Sequence, residues 1–176
     1  MKCLCATLSM LLLLTLPLVA QILPPSTINP IIDGSVGASE YLQVIPLKDM
    51  RLGYALSNNG KLLHFALEAP TSGWVSVGLD SKRMNGAHFI IGYDAMSTQV
   101  INEETGRGRS HSPSTVNILV ESKIKELGGK TTLEFSVPAS LYESGSELNI
   151  IVSYGNQDNI RSKHSRYDSH TIKFQQ

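Results

Sequence analysis

From residue 41 to the C-terminus, short apolar runs alternate with polar turns rich in Gly, Pro and Asn. Residues 41–48 (YLQVIPLK), 52–57 (LGYALS), 61–69 (KLLHFALEA), 73–79 (GWVSVGL), 88–93 (HFIIGY) and 98–101 (TQVI) make up the first group. Residues 115–122 (TVNILVES), 130–137 (KTTLEFSV), 147–155 (ELNIIVSYG) and 169–174 (SHTIKF) make up the second. In the third run, Leu62, His64 and Ala66 fall on one face and Leu63, Phe65 and Leu67 on the other. A strand points successive side chains to opposite faces, so this alternation predicts a strand with one face in a core. Asn58-Asn59-Gly60 predicts a tight hairpin. Pro138 stops the 130–137 strand, because it has no N–H to give the ladder. No stretch keeps a helical period; the one weak helix candidate is 122–127 (SKIKEL), ended by Gly128 and Gly129. Short strands spaced about ten residues apart, with Gly and Pro between them, predict an all-β antiparallel sandwich or barrel. The Asn-Gly and Gly-Gly turns favour hairpin and Greek-key links over helical crossovers.

The first twenty residues follow a different rule. Lys2, an apolar run from Leu8 to Leu16, Pro17 and the small-residue end Leu18-Val19-Ala20 have the layout of a secretory signal peptide cleaved after Ala20. The run is shorter than the ~20 residues a membrane span needs, so no membrane insertion is expected after cleavage. The expected location is secreted or periplasmic. Residues 21–30 (QILPPSTINP) read as a linker and 31–174 as one domain. Cys3 and Cys5, the two cysteines of the chain, lie in the signal segment, so the mature chain has neither thiol nor disulfide. It stands on its core alone, and about 155 residues is enough for one domain to do so. Fifteen Lys and Arg balance fifteen Asp and Glu with no basic run, which argues against nucleic acid as a partner.

Candidate chemistry is sparse. There is no Gly-x-Ser-x-Gly frame, no zinc-like His spacing with a third ligand, and no EF-hand loop. An enzyme with its own catalytic machinery is therefore not expected. Glu103 and Glu104 read as a solvated turn in a loop. His64 reads as a structural histidine in a strand, His88 opens a strand, His111 lies in a Gly/Arg/Ser loop at 106–114, and His164 and His170 flank SRYDS. Trp74 reads as a core residue, and Met50 and Met96 as packing or turn residues. Met84 stands apart. It ends the polar connection Asp80-Ser81-Lys82-Arg83, directly before Asn85-Gly86, between strands that have apolar residues enough of their own. Either it folds back as core filler or its sulfur is needed at a site.

GWVSVGL, a polar loop and then MNGAHFIIGY together resemble the central signature of DOMON domains. In that signature Gly-Trp-x-x-x-Gly is followed by Met-x-Gly-Ala-Asp and an apolar strand. IDGSVGASEY (32–41), TTLEFSVP (131–138) and IIVSYGNQDNIRSKHSR (150–166) are similar to further family segments in the same order, so the resemblance covers roughly residues 31–174. It implies an immunoglobulin-like antiparallel β-sandwich that binds haem or, in some members, sugars. In haem-binding members a Met of the Met-x-Gly loop and a late His are the axial iron ligands, which fall here on Met84 and His164. A thioether and an imidazole make six-coordinate iron with a raised reduction potential. Without Cys-x-x-Cys-His the group would be non-covalent haem b. Gly86 would leave room for a flat macrocycle, and His88, Trp74 and Arg166 are the residues expected beside it. His88 stands where the family has Asp, and Ser114 where it has an acid after His-x-Pro. The implied function is one-electron transfer with a redox partner protein. The alternative is a haem-free module for a carbohydrate or other small ligand, with Trp74 and tyrosines as stacking surfaces.

Overall fold

The computed structural model describes residues 23–96, 98–142 and 145–174. The expected signal segment, 1–20, lies outside the described residues. Eleven strands follow one another: β1 (Gln43–Leu47), β2 (Met50–Leu56), β3 (Leu62–Ala69), β4 (Val75–Leu79), β5 (His88–Ala95), β6 (Thr98–Arg107), β7 (Ser110–Pro113), β8 (Glu121–Leu127), β9 (Lys130–Pro138), β10 (Glu147–Tyr154) and β11 (Arg166–Lys173). The one helical piece among the described residues is a single 3-10 turn at Ala139–Leu141. A five-stranded sheet runs β1-β2-β3-β9-β8 and a six-stranded sheet runs β11-β10-β4-β5-β6-β7. All the strand pairs are antiparallel. The fold is the expected single-domain β-sandwich.

The period of two decides which side chains meet between the sheets. Leu63, Phe65 and Leu67 of β3 face inward beside Val137, Phe135 and Leu133, their register partners on β9. Phe65 and Phe135 stack with ring centroids 5.1 Å apart. Val75, Val77 and Leu79 of β4, Ile90 of β5 and Ile150 and Val152 of β10 close the core from the other sheet. Burying each such side chain contributes about 1.5–3 kcal/mol. Met50 belongs to this core, whereas Met96 is fully exposed in a turn at positive φ.

Two segments depart from their expected form. Residues 122–127 are strand, not helix: Gly128 and Gly129 both have positive φ, the geometry of a two-residue hairpin turn, which folds β8 onto β9 with Leu127 opposite Lys130. Most of 115–122 is not strand, because this stretch carries the chain from β7 in one sheet to β8 in the other. Its Ile118 and Leu119 amides donate instead to the Glu103 carboxylate. The supposed loop at 106–114 is largely the β6–β7 hairpin.

The outer face of the five-stranded sheet is covered by residues 31–41. Glu134, fully buried on β9, accepts from the backbone amides of Asp33, Gly34 and Ser35 and from the Tyr41 hydroxyl at 2.7–3.1 Å. Gly34 sits at φ +83, which turns three successive amides toward one carboxylate. The IDGSVGASEY stretch is thus a structural strap. Upstream, Leu23 is buried and the Ser26 amide donates to the Leu56 carbonyl, so residues of the 21–30 segment also lie against the domain.

Candidate functional site

The outer face of the six-stranded sheet is apolar at its centre. On β4, β5 and β10 the residues between the core positions are Ser76, Phe89, Ile91, Ile151 and Ser153. All are buried although they point away from the core. Three pieces of chain enclose them: residues 80–87, the β6–β7 hairpin and residues 155–165. Together they form a cavity of about 780 Å³. Its floor is Trp74, Phe89, Ile91 and Ile151, and both Met84 and His164 line it.

Met84 packs against a small cluster of Ala87, Phe89 and Ile151, separate from the main core. Its loop is pinned to the β6–β7 hairpin. The Gly86 amide donates to the Gly106 carbonyl, the Gly106 amide to the Ala87 carbonyl, and the Gly108 amide to the Asn85 side chain. Position 106 must be glycine for this: a Cβ there would lie 1.8 Å from the Met84 carbonyl oxygen.

His164 comes from the 155–165 segment, held at three places. At its base the Trp74 amide donates to Gln157 O, the Gly155 amide to Trp74 O, and the Ser165 amide to Tyr154 O. The Trp74 indole N–H donates to the Ser162 hydroxyl at 2.9 Å. In the middle, Arg161 donates to both Glu104 carboxylate oxygens at 2.7 and 2.8 Å and to the His111 carbonyl at 2.7 Å. Glu104 is fully buried and also accepts from His111 Nδ1. His111 in turn lies over the Phe89 ring and lines the cavity. The His164 ring meets Tyr167 edge-on at 5.0 Å. Burial, with the Lys163 charge beside it, lowers the His164 pKa below the ordinary value. The imidazole is therefore neutral at pH 7, the form that binds metal.

Of the residues expected around the site, Met84, His164 and Trp74 line one cavity. His88 does not: it is on the inward-facing side of β5, where its Nε2 meets Glu103 at 2.8 Å. Alternation along β5 puts it on the opposite face from Phe89. Gly86 shapes the Met84 loop at φ +85 rather than lining the cavity, and Ala87 beside it is buried under the loop. Arg166 points instead toward Asp49, 3.9 Å away. Ser114 caps its own turn, accepting from the Val116 amide. His170 lies on the inner face of β11, beside Tyr54.

The residues missed from sequence are Glu104, His111 and Arg161. Glu103 and Glu104 are not a solvated turn. They lie on β6, point to opposite faces, and each meets its own partner, His88 on one side and Arg161 with His111 on the other. Had 98–107 been read as one long strand, the alternation would have separated them. Nothing local links Glu104 to Arg161.

No family model matches the chain, and no curated protein matches it in sequence. Several solved structures do match in fold, two cytochrome domains among them. The cytochrome b domain of pyranose dehydrogenase from Coprinopsis cinerea superposes with a TM-score of 0.52 at 12% identity, over 71% of this chain and 76% of that one. The cytochrome domain of Myriococcum thermophilum cellobiose dehydrogenase superposes with a TM-score of 0.53 at 12% identity, over 75% and 81%. This two-sheet sandwich is the architecture that the resemblance of GWVSVGL and MNGAHFIIGY to DOMON domains implies, and the chain shares the fold of these two cytochrome domains.

Proposed function

We propose that the chain is a secreted DOMON cytochrome that holds haem b in the cavity on the outer face of the six-stranded sheet. Met84 and His164 would hold its iron, and the group would supply one-electron exchange with a partner protein. The observation that carries this reading is that Met84 and His164, from separate loops, line one cavity with an apolar floor. The residues fit the group. A thioether and a neutral imidazole suit low-spin iron, and the volume lies within the roughly 300–1,000 Å³ of small-molecule and cofactor sites. When bound, haem supplies a one-electron iron couple. The chain's part is to present two ligands, to exclude water with Trp74, Phe89, Ile91 and Ile151, and to keep His164 unprotonated. No helix among the described residues is long and apolar enough to cross a membrane. Secretion rests on residues 1–20, and the mature chain should begin at Gln21.

A haem-free carbohydrate module is the second reading. Tyr167, about half exposed at the cavity, is the ring that favours it. Trp74 serves it poorly, being 4% exposed with its indole N–H given to Ser162.

The absorption spectrum of the chain after haem reconstitution decides between them. A low-spin, six-coordinate spectrum with a Soret band that shifts on reduction is expected. Met84→Leu should cost less than about 1.5 kcal/mol of stability, since volume is conserved, yet lose six-coordination. His164→Ala should abolish retention or leave high-spin iron, and His170→Ala should leave the spectrum unchanged. A chain that takes up no haem under these conditions refutes the proposal.

A further inference from the structure

The mouth of the cavity carries a charge pattern that ligand binding alone does not require. Lys82 and Arg83 on the 80–87 loop, Arg109 at the tip of the β6–β7 hairpin and Lys163 on the 155–165 segment all line the cavity, and all are exposed. Among the described residues none of the four forms an ion pair, whereas Arg161 beneath them is committed to Glu104. Among the described residues no carboxylate lines the cavity. Asp80 and Asp158, on the same loops, are exposed but lie outside the lining. The chain as a whole has a formal charge of zero, so this is a local concentration of one sign and not a property of the composition.

We infer that this basic rim is the docking surface for an acidic face of a partner protein. The inference rests on the cytochrome reading for its purpose, but the surface itself does not depend on haem. Haem b has two propionates, so countercharge for them accounts for at most two of the four cations. The four come from three different loops around a concave mouth. A convex acidic protein face can meet such a ring on all sides, whereas a linear polyanion fits a stripe. Exposed like charges around a low-dielectric cavity focus their field outward and steer an oppositely charged partner. Docking here brings the partner against the same opening through which an electron would leave.

The test uses two redox proteins of opposite charge, an acidic plastocyanin and a basic cytochrome c, titrated into the isotope-labelled chain with and without haem. Expected are amide shifts at Lys82, Arg83, Arg109 and Lys163 with plastocyanin, absent with cytochrome c. These shifts should collapse at roughly 0.5–1 M salt, where screening reaches only a few ångströms. The triple variant Lys82→Glu, Arg83→Glu, Arg109→Glu should reverse the preference. Among the described residues the three parent side chains make no ion pair, so its melting curve should match the parent. With haem, one electron leaves the reduced iron for each cupric plastocyanin reduced, and the second-order rate should fall about tenfold or more in the variant. Equal shifts with both proteins, or a variant that binds plastocyanin unchanged, would overturn the docking surface. So would tighter binding to heparin or to phosphatidylserine vesicles than to plastocyanin, lost in the same variant, which would assign the rim to a polyanion. Failure to take up haem removes the cytochrome reading alone, since the shifts are read on the apo chain as well.

Discussion

Arg161→Met tests whether the buried carboxylate under the 155–165 segment holds the His164 loop in place. Methionine keeps the aliphatic stem and removes the charge. Glu104 is fully buried and receives two guanidinium bonds, at 2.7 and 2.8 Å. Each hydrogen bond to a charged group contributes about 1.5–3 kcal/mol net. Two opposing terms reduce the sum. The Arg161 side chain is 48% exposed, so its charge is partly solvated already, and His111 stays on Glu104 to share the charge. A net loss of about 2 kcal/mol results, which lowers the melting temperature by roughly 4–8 °C for a domain of this size. The loss is local. The base of the segment keeps its bonds to Trp74 and Tyr154, whereas the Ser162 amide, bonded to the Asn159 carbonyl, sits in the part released. Calorimetry gives the melting shift, and hydrogen exchange of the apo chain should show faster exchange at Ser162 than at Gly155. Pairing Arg161→Met with Glu104→Gln should recover part of the loss, because the buried charge is then gone from both sides. A single variant that melts within about 1 °C of the parent, with Ser162 exchange unchanged, would refute the clamp.

Two further outcomes follow from other residues. In Gly155→Ala the new Cβ would lie 2.2 Å from the Trp74 indole nitrogen, so the indole must shift and its bond to Ser162 breaks. A cost of about 1–3 kcal/mol and a changed emission from the chain's single Trp are expected, and unaltered fluorescence would contradict the contact. His64 is buried with both ring nitrogens unpartnered among the described residues, and burial lowers its pKa. The unfolded chain therefore binds a proton first as pH falls below about 6.5, and stability drops from there downward. His64→Leu should raise stability at pH 5 relative to pH 7, and melts at the two pH values check it: equal gains at both would show that His64 does not titrate on unfolding.

Strand periodicity was legible because it depends only on neighbours in the chain. The alternation in KLLHFALEA set Leu63, Phe65 and Leu67 on one face without any tertiary information, and Asn58-Asn59-Gly60 marked its hairpin; packing made that face the inner one. Met84 was singled out by its polar surroundings, and with His164 by the resemblance of the segments around them to DOMON domains. What local pattern could not supply was any pairing across distance. SKIKEL has no strand signature of its own; it is a strand because the Gly128-Gly129 turn folds it onto β9. His88 looked like a neighbour of the site because it is near Met84 in sequence, yet a one-residue step along β5 turns it to the far side of the sheet. Arg166 was expected beside the site but points toward the exposed Asp49, whereas Arg161 lines the cavity and meets Glu104, a carboxylate that the sheet buries. Side-chain direction is written locally in a strand, whereas the partner that makes a buried charge tolerable is fixed only when distant segments pack.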